Sequence, residues 1–265
     1  MVMPTLYIPH GGGPCFFMDW TIGPKDTWDG LARWLRRFPN KLPERPSAIL
    51  IISAHWENHK PTLTTKENPN LIYDYHGFPR STYKLKWPAQ NNPALVARIQ
   101  ELLSEVDIDS EIHPKRGFDH GVFVPMKVSF PNADIPTTQL SLVKGLDPAL
   151  HLEIGMALQP LREEGVLIIG SGMSYHNMKK FMTPAALQAS KKFNNWLEYT
   201  VVLDQWERFE QLSNWERAPA ARQCHPYAEH LLPLMIAAGA AGEDPGRKVF
   251  EDTVMGAVVS AIQFG

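Results

Sequence analysis

Six histidines in this chain stand in turn-prone or strand-end contexts. They are His10 in Pro9-His10-Gly11-Gly12-Gly13-Pro14, His55 in Ser53-Ala54-His55-Trp56-Glu57, His120 in Gly117-Phe118-Asp119-His120-Gly121, His176 in Ser174-Tyr175-His176-Asn177, and His225 and His230 on either side of Pro226-Tyr227-Ala228-Glu229. Neutral imidazole is the commonest protein ligand for transition metals, and it titrates near neutral pH. Glycine beside a histidine removes bulk, so a metal and a substrate can approach closely. These contexts suit a metal better than a core and point to a metalloenzyme.

The chemistry depends on which histidines converge. His10 and His55 read as ligands, with Glu57 as a carboxylate able to orient an imidazole. His120, between Asp119 and Gly121, reads as a general acid or base beside the metal. The glycine- and serine-rich turn from Gly170 to Asn177 suits a crowded site for His176. His225 and His230 lie five apart, whereas residues three or four apart share a helix face, so one regular helix would not bring both to one metal. His230, before Leu231-Leu232-Pro233-Leu234, is the more buried of the two, and Glu229 is its competitor as a ligand. His59, His76, His113 and His151 lie in polar stretches and read as surface residues. There is no GxSxG nucleophile elbow, no HExxH helix, and no GKS/T or GxGxxG phosphate loop.

Elements must carry these groups to one place. Short apolar runs at 5–9, 48–53, 135–140 and 166–170 read as buried strands. Helical patterns cover 28–38, 93–104, 148–163, 184–202 and 227–238. Asp147-Pro148 and Thr183-Pro184 are cap-then-proline helix starts. The stretch 249–264 has room for one or two more strands. Strands alternating with helices give an α/β fold with a mixed, mostly parallel sheet. Ligands in such sheets bind at the carboxyl ends of strands. His10, His55 and His176 each follow a different strand, so three strands would deliver imidazoles to one rim.

The composition is that of a globular protein. The 265 residues are 44% hydrophobic and 20% charged, with a net charge of −2, which favours neither nucleic acid nor an anionic membrane as partner. Twenty-three prolines argue against a helical bundle. Arg33, Arg36 and Arg37 are spaced as a solvated helix face. Cys15 and Cys224 are far apart and lack CxxC spacing, as in a reduced cytoplasmic chain. No apolar run is long enough to span a bilayer. The first basic residue is Lys25, unlike the start of a secretory leader. One domain spanning 1–265, as monomer or homodimer, is expected.

Taken in order, His10 to Pro14, Ser53 to Trp56, Gly77-Phe78-Pro79, Gly117 to Gly121, Ser171 to Asn177 and Glu229 to Pro233 resemble the class III extradiol ring-cleavage dioxygenases. Within them the chain is similar to the DOPA 4,5-dioxygenase-like branch of the LigB superfamily, from residue 4 to 264. The resemblance implies a single α/β domain that opens the ring of a catechol-type substrate with O2. It implies non-haem Fe(II) for activity, and Zn(II) in isolated members of the branch. His10, His55, His176 and His230 match its metal-site residues, and His120 its acid–base histidine; His120 or His176 is expected to move the diol protons while His10 and His55 hold the metal. The main alternative from the residues themselves is a zinc-dependent hydrolase using the same histidines. A catalytically silent structural zinc site ranks last. Tyr7, Phe16, Trp56, Tyr75, Phe78 and Tyr175 are proposed walls of an aromatic pocket, and Arg80, Lys115 and Arg116 proposed partners for a substrate carboxylate.

Overall fold

A computed structural model describes residues 1–265. Eight strands form one mixed sheet: β1 (Thr5–Pro9), β2 (Ala48–Asn58), β3 (Thr62–Thr64), β4 (Glu111–His113), β5 (Thr137–Val143), β6 (Val166–Gly172), β7 (Gly246–Val254) and β8 (Ala257–Phe264). Their order is β4-β3-β5-β2-β6-β1-β8-β7. The central strands β5, β2, β6 and β1 run parallel, while β8 and β7 close one side antiparallel. β1, β5 and β6 are buried along their whole length, as parallel strands covered on both faces must be. The α/β class and mixed sheet are as expected.

Eight helices flank the sheet: α1 (Asp29–Arg37), α2 (Pro93–Ser104), α3 (His120–Ser129), α4 (Pro148–Ala157), α5 (Pro184–Val201), α6 (Gln205–Ser213), α7 (Ala221–Cys224) and α8 (Leu232–Ala240). Asp147 and Thr183 cap α4 and α5 through their side chains, with Pro148 and Pro184 following. Several boundaries differ from expectation. The helix read over 148–163 breaks after Ala157 into a 3-10 turn at Gln159–Arg162, around Pro160, which has no N–H to continue the ladder. The helix read from Tyr227 begins only at Leu232, because 225–231 forms a turn. β2 runs on through His55 to Asn58, with a register shift against β5 between Ile52 and Glu57. A bulge of this kind bends a strand and re-aims its side chains, so His55 sits in the irregular part of β2 and not after it.

The side-chain environment corrects two histidines. His151, expected at the surface, is fully buried. Its Nδ1–H donates to the Asp147 carbonyl (2.6 Å), and its Nε2 accepts from the Val143 N–H (3.0 Å). It ties the end of β5 to the start of α4. His225, grouped above with the metal-type histidines, is also fully buried. It packs edge-on to Phe193 and Trp215 and bonds the Ser174 carbonyl at 3.0 Å, so it belongs to the core.

Candidate metal centre

Three elements from distant parts of the sequence deliver His10, His55 and His230 to the carboxyl edge of the parallel strands. His10 directly follows β1, and its N–H donates to the Gly172 carbonyl at the end of β6 (3.1 Å). His55 is turned inward by the irregular stretch of β2, where its N–H donates to Ser53 Oγ (3.1 Å). His230 lies two residues before α8, pressed against the end of β6. Its carbonyl accepts from Tyr7 Oη (2.7 Å) and from the Met173 N–H (3.0 Å). Gly172 makes this approach possible, since a Cβ there would lie 2.1 Å from the His230 carbonyl oxygen. Tyr7 therefore supports His230 from beneath instead of lining a pocket.

One ring nitrogen of each of these three histidines lies within 4.8 Å of the others. His10 Nε2 and His55 Nε2 are 3.2 Å apart. The opposite nitrogens are engaged outward: His10 Nδ1–H donates to the Gly11 carbonyl (2.8 Å) and His230 Nδ1–H to Glu229 Oε1 (2.8 Å). That fixes Nε2 as the inward lone pair on both rings. His230 Nε2 is buried without any hydrogen-bond partner, a costly state for a polar atom unless something binds it. Three neutral imidazoles with convergent ring nitrogens, two of them hydrogen-bonded from behind, fit a transition metal. Burial lowers the pKa of His10 and His230 well below the ordinary imidazole value, and neighbouring histidines lower them further. His55 falls to about 4, mainly through burial and His120, against the opposing pull of Asp119 and Asp74. All three rings are thus held in the neutral form a ligand needs.

The other expected residues surround this trio. His176 stacks on His230 with ring centroids 3.3 Å apart, and its Nδ1 faces Glu229 Oε1 at 3.2 Å. It groups with Glu229 and His230, not with the His10–His55–His230 set. Glu229 lies behind the imidazoles, accepting from His230 Nδ1–H and facing His176 Nδ1. His120 opens α3 with its ring centroid 4.0 Å from that of His55. Its N–H and its Nδ1–H both donate to Asp74 Oδ1, at 2.9 and 2.8 Å. Burial alone would raise the Asp74 carboxyl, but hydrogen bonds and charge from His120, with His55, bring it down to about 2.

Asp74 escaped the sequence reading. It precedes the Gly77-Phe78-Pro79 motif in a loop, and only the fold brings it under His120. Asp119 occupies the cap position of α3 but makes no capping bond. Fully buried, it instead accepts from Ser53 Oγ (2.6 Å), Gln139 Nε2 (2.5 Å) and Arg116 Nη2 (3.0 Å), locking β2, β5 and α3 together. Glu57 accepts from Tyr227 Oη (3.0 Å) and does not orient an imidazole.

A cavity of about 300 Å³ opens over the histidines and includes His10, His55, His120, His176 and His230 in its wall. Of the expected aromatic residues, Tyr75 and Phe78 line it, whereas Tyr7, Phe16, Trp56 and Tyr175 do not. Trp20, Trp28 and Phe181 form the rest of its aromatic wall and were not foreseen. Arg80 and Lys115 are exposed away from it, and Arg116 is committed to Asp119 and to the face of Trp56.

A family model described as the catalytic LigB subunit of aromatic ring-opening dioxygenase matches residues 4–264. The chain belongs to the LigB family. It is 36% identical to a 4,5-DOPA dioxygenase extradiol of Beta vulgaris, over 98% of this chain and 94% of that one. It is also 36% identical to a dioxygenase of Hapsidospora irregularis, over 99% of this chain and 85% of the relative. The crystal structure of an uncharacterized Escherichia coli K12 protein superposes with a TM-score of 0.78 at 29% identity, covering 99% of this chain and all of that one. The chain is accordingly an extradiol aromatic ring-cleaving dioxygenase that depends on a metal, with an aromatic substrate and O2 as co-reactants. The zinc-hydrolase alternative draws no support from these relatives. No helix is long and apolar enough to cross a membrane.

Proposed function

We propose that the chain opens the ring of a catechol-type diol by extradiol cleavage at Fe(II) held by His10, His55 and His230. The observation carrying this reading is the convergence of three buried imidazoles, with the partnerless His230 Nε2 among them, at the base of the cavity. Bound there, Fe(II) supplies Lewis acidity and a route for electrons between the ring and dioxygen. Zn(II) suits the same three nitrogens and is the expected competitor in isolated protein.

The side chains supply the rest. Asp74 keeps the proton on His120 Nδ1, which leaves Nε2 free to take a proton from the diol and return it to the product. His176, stacked on His230 and facing Glu229, is the second proton carrier. Trp28, Tyr75 and Phe78 hold the aromatic ring and limit water. The carbon–carbon bond next to the diol breaks, and both oxygen atoms of O2 enter the product. The whole chain acts as one catalytic domain in the cytoplasm, as monomer or homodimer, without nucleic-acid or membrane partners; a net charge of −2 supports the last point.

The test is anaerobic loading with Fe(II), followed by oxygen uptake and visible spectra over a catechol panel. Oxygen consumption with a yellow ring-opened product is expected. His10→Ala and His55→Ala should lose the metal. His120→Ala should retain it and turn over roughly 100-fold or more slowly. Full turnover by His120→Ala would overturn the role given to that residue, and no oxygen uptake by iron-loaded protein would overturn the reaction.

A further inference from the structure

The wall of the catalytic cavity contains no Lys, Arg, Asp or Glu. Beyond the histidines, it is built from aromatic, aliphatic and thioether side chains and the backbone of Gly11 to Gly13. The charges just behind it are already engaged: Asp74 pairs with His120, Glu229 faces His176 and His230, and Arg116, which reaches the His55 carbonyl, is committed to Asp119 and to the face of Trp56. With the metal's charge taken up by the diol, a substrate carboxylate would enter this space without a Lys or Arg to pair with, and an unpaired buried charge is strongly disfavoured.

The mouth continues the same character. Ile22 and Met178, both on the cavity wall, are 48% and 66% exposed. Met182, 53% exposed, lies in an adjoining cleft of about 680 Å³ that shares Ile22 and Met255 with the cavity. Large apolar side chains held out in water around one opening mark a surface meant to be covered. Further along, that cleft presents Asp26, Asp29 and Asp252 against the single cation Arg33, which again opposes an anionic substituent.

We propose that the substrate is a catechol bearing an uncharged, apolar alkyl or aryl substituent, and not an amino-acid or carboxylic-acid catechol. The diol sits over His10, His55 and His230. The substituent runs past Phe181 and Met255 and reaches the rim at Ile22 and Met178. This inference rests on the catechol reading above, and it makes the site more selective than that reading requires.

Binding separates the two ideas. Zinc-loaded protein, which is redox-silent, is titrated calorimetrically with 4-methyl-, 4-ethyl-, 4-propyl- and 4-butylcatechol and with 3,4-dihydroxybenzoate and DOPA. Affinity should rise along the alkyl series, by up to roughly fourfold per buried methylene, and 4-butylcatechol should exceed both carboxylated catechols at least tenfold. Met178→Lys places a cation at an already exposed position and should narrow that gap at least fivefold by improving 3,4-dihydroxybenzoate binding. Equal or tighter binding of the carboxylated catechols by the unmodified protein would overturn the proposal, as would absence of catechol binding. If alkylcatechols bind as expected but the iron-loaded protein consumes no oxygen with them, the ring-opening reading falls while the selectivity of the site stands.

Discussion

Asp74 accepts both the backbone N–H and the Nδ1–H of His120, and that double grip holds the ring proton on Nδ1 and leaves Nε2 as the lone pair. The same carboxylate sits 3.7 Å from His55 Nδ1, too long for a hydrogen bond but close enough to favour one ring orientation. Asp74→Ala should therefore leave metal content near that of the parent and lower kcat about 10- to 100-fold, with KM little changed, as losing an orienting partner does. Asn retains an acceptor oxygen and should restore part of the loss. Metal analysis with steady-state kinetics on both variants checks this, and a loss of metal equal to the loss of rate would show that Asp74 serves His55 instead. At this scale the Gly, Pro and strand-end neighbours singled out the five histidines that the fold gathers around one cavity. The sequence did not disclose Asp74, because no local pattern links a loop carboxylate to a helix start 46 residues away. It also misjudged His151 and His225, whose burial is decided by packing partners distant in the chain.

Elements hold the site through close approaches that leave no slack. The carbonyl of His230 rests on Gly172, with Tyr7 Oη and the Met173 N–H holding it there. Gly172→Ala would put a methyl 2.1 Å from that oxygen and 3.1 Å from the Tyr7 ring, so the His230 segment must lift. Metal affinity should fall more than tenfold, whereas Tyr7→Phe should cost about 1 kcal/mol of stability and keep the metal; metal titration and thermal melts distinguish them. The parallel core strands and the proline-started helices were legible because period and caps are local signals. The extension of β2 through His55 and the late start of α8 were not, since a bulge is set by pairing with β5 and a turn at 225–231 by its contacts.

His151 gives the β5–α4 junction a pH dependence. Burial lowers its pKa to about 4, against the opposing pull of Asp147. In the unfolded chain it titrates near 6.5. Between those values the unfolded state binds a proton that the folded state refuses, so the stabilisation is complete above about 6.5 and is lost as pH falls toward 4. The full loss is on the order of 3 kcal/mol. His151→Gln should flatten that part of the acid limb in chemical denaturation curves measured from pH 7 to pH 4. An unchanged limb would mean that the other buried histidines, His225 among them, carry it.

For the whole molecule, the proposed ligands bind together regions that the chain does not otherwise join locally: the end of β1, the irregular stretch of β2 and the turn before α8. All three lie on one edge because parallel strands share a carboxyl end and β6 is hydrogen-bonded between β1 and β2. A metal bound to the folded chain alone shifts the folding equilibrium by mass action. At a free concentration one hundred times the dissociation constant the gain is about 2.7 kcal/mol, a rise in Tm of roughly 5–10 °C for a chain of this length. Chelation should remove that increment, and Zn(II) should restore it as fully as Fe(II), because the effect needs coordination and not redox chemistry. His230→Ala should abolish the dependence of Tm on metal concentration, while His120→Ala should preserve it. If His120→Ala abolished it as well, the metal would lie toward the His55, Asp74 and His120 group, and the ligand set proposed here would have to move with it.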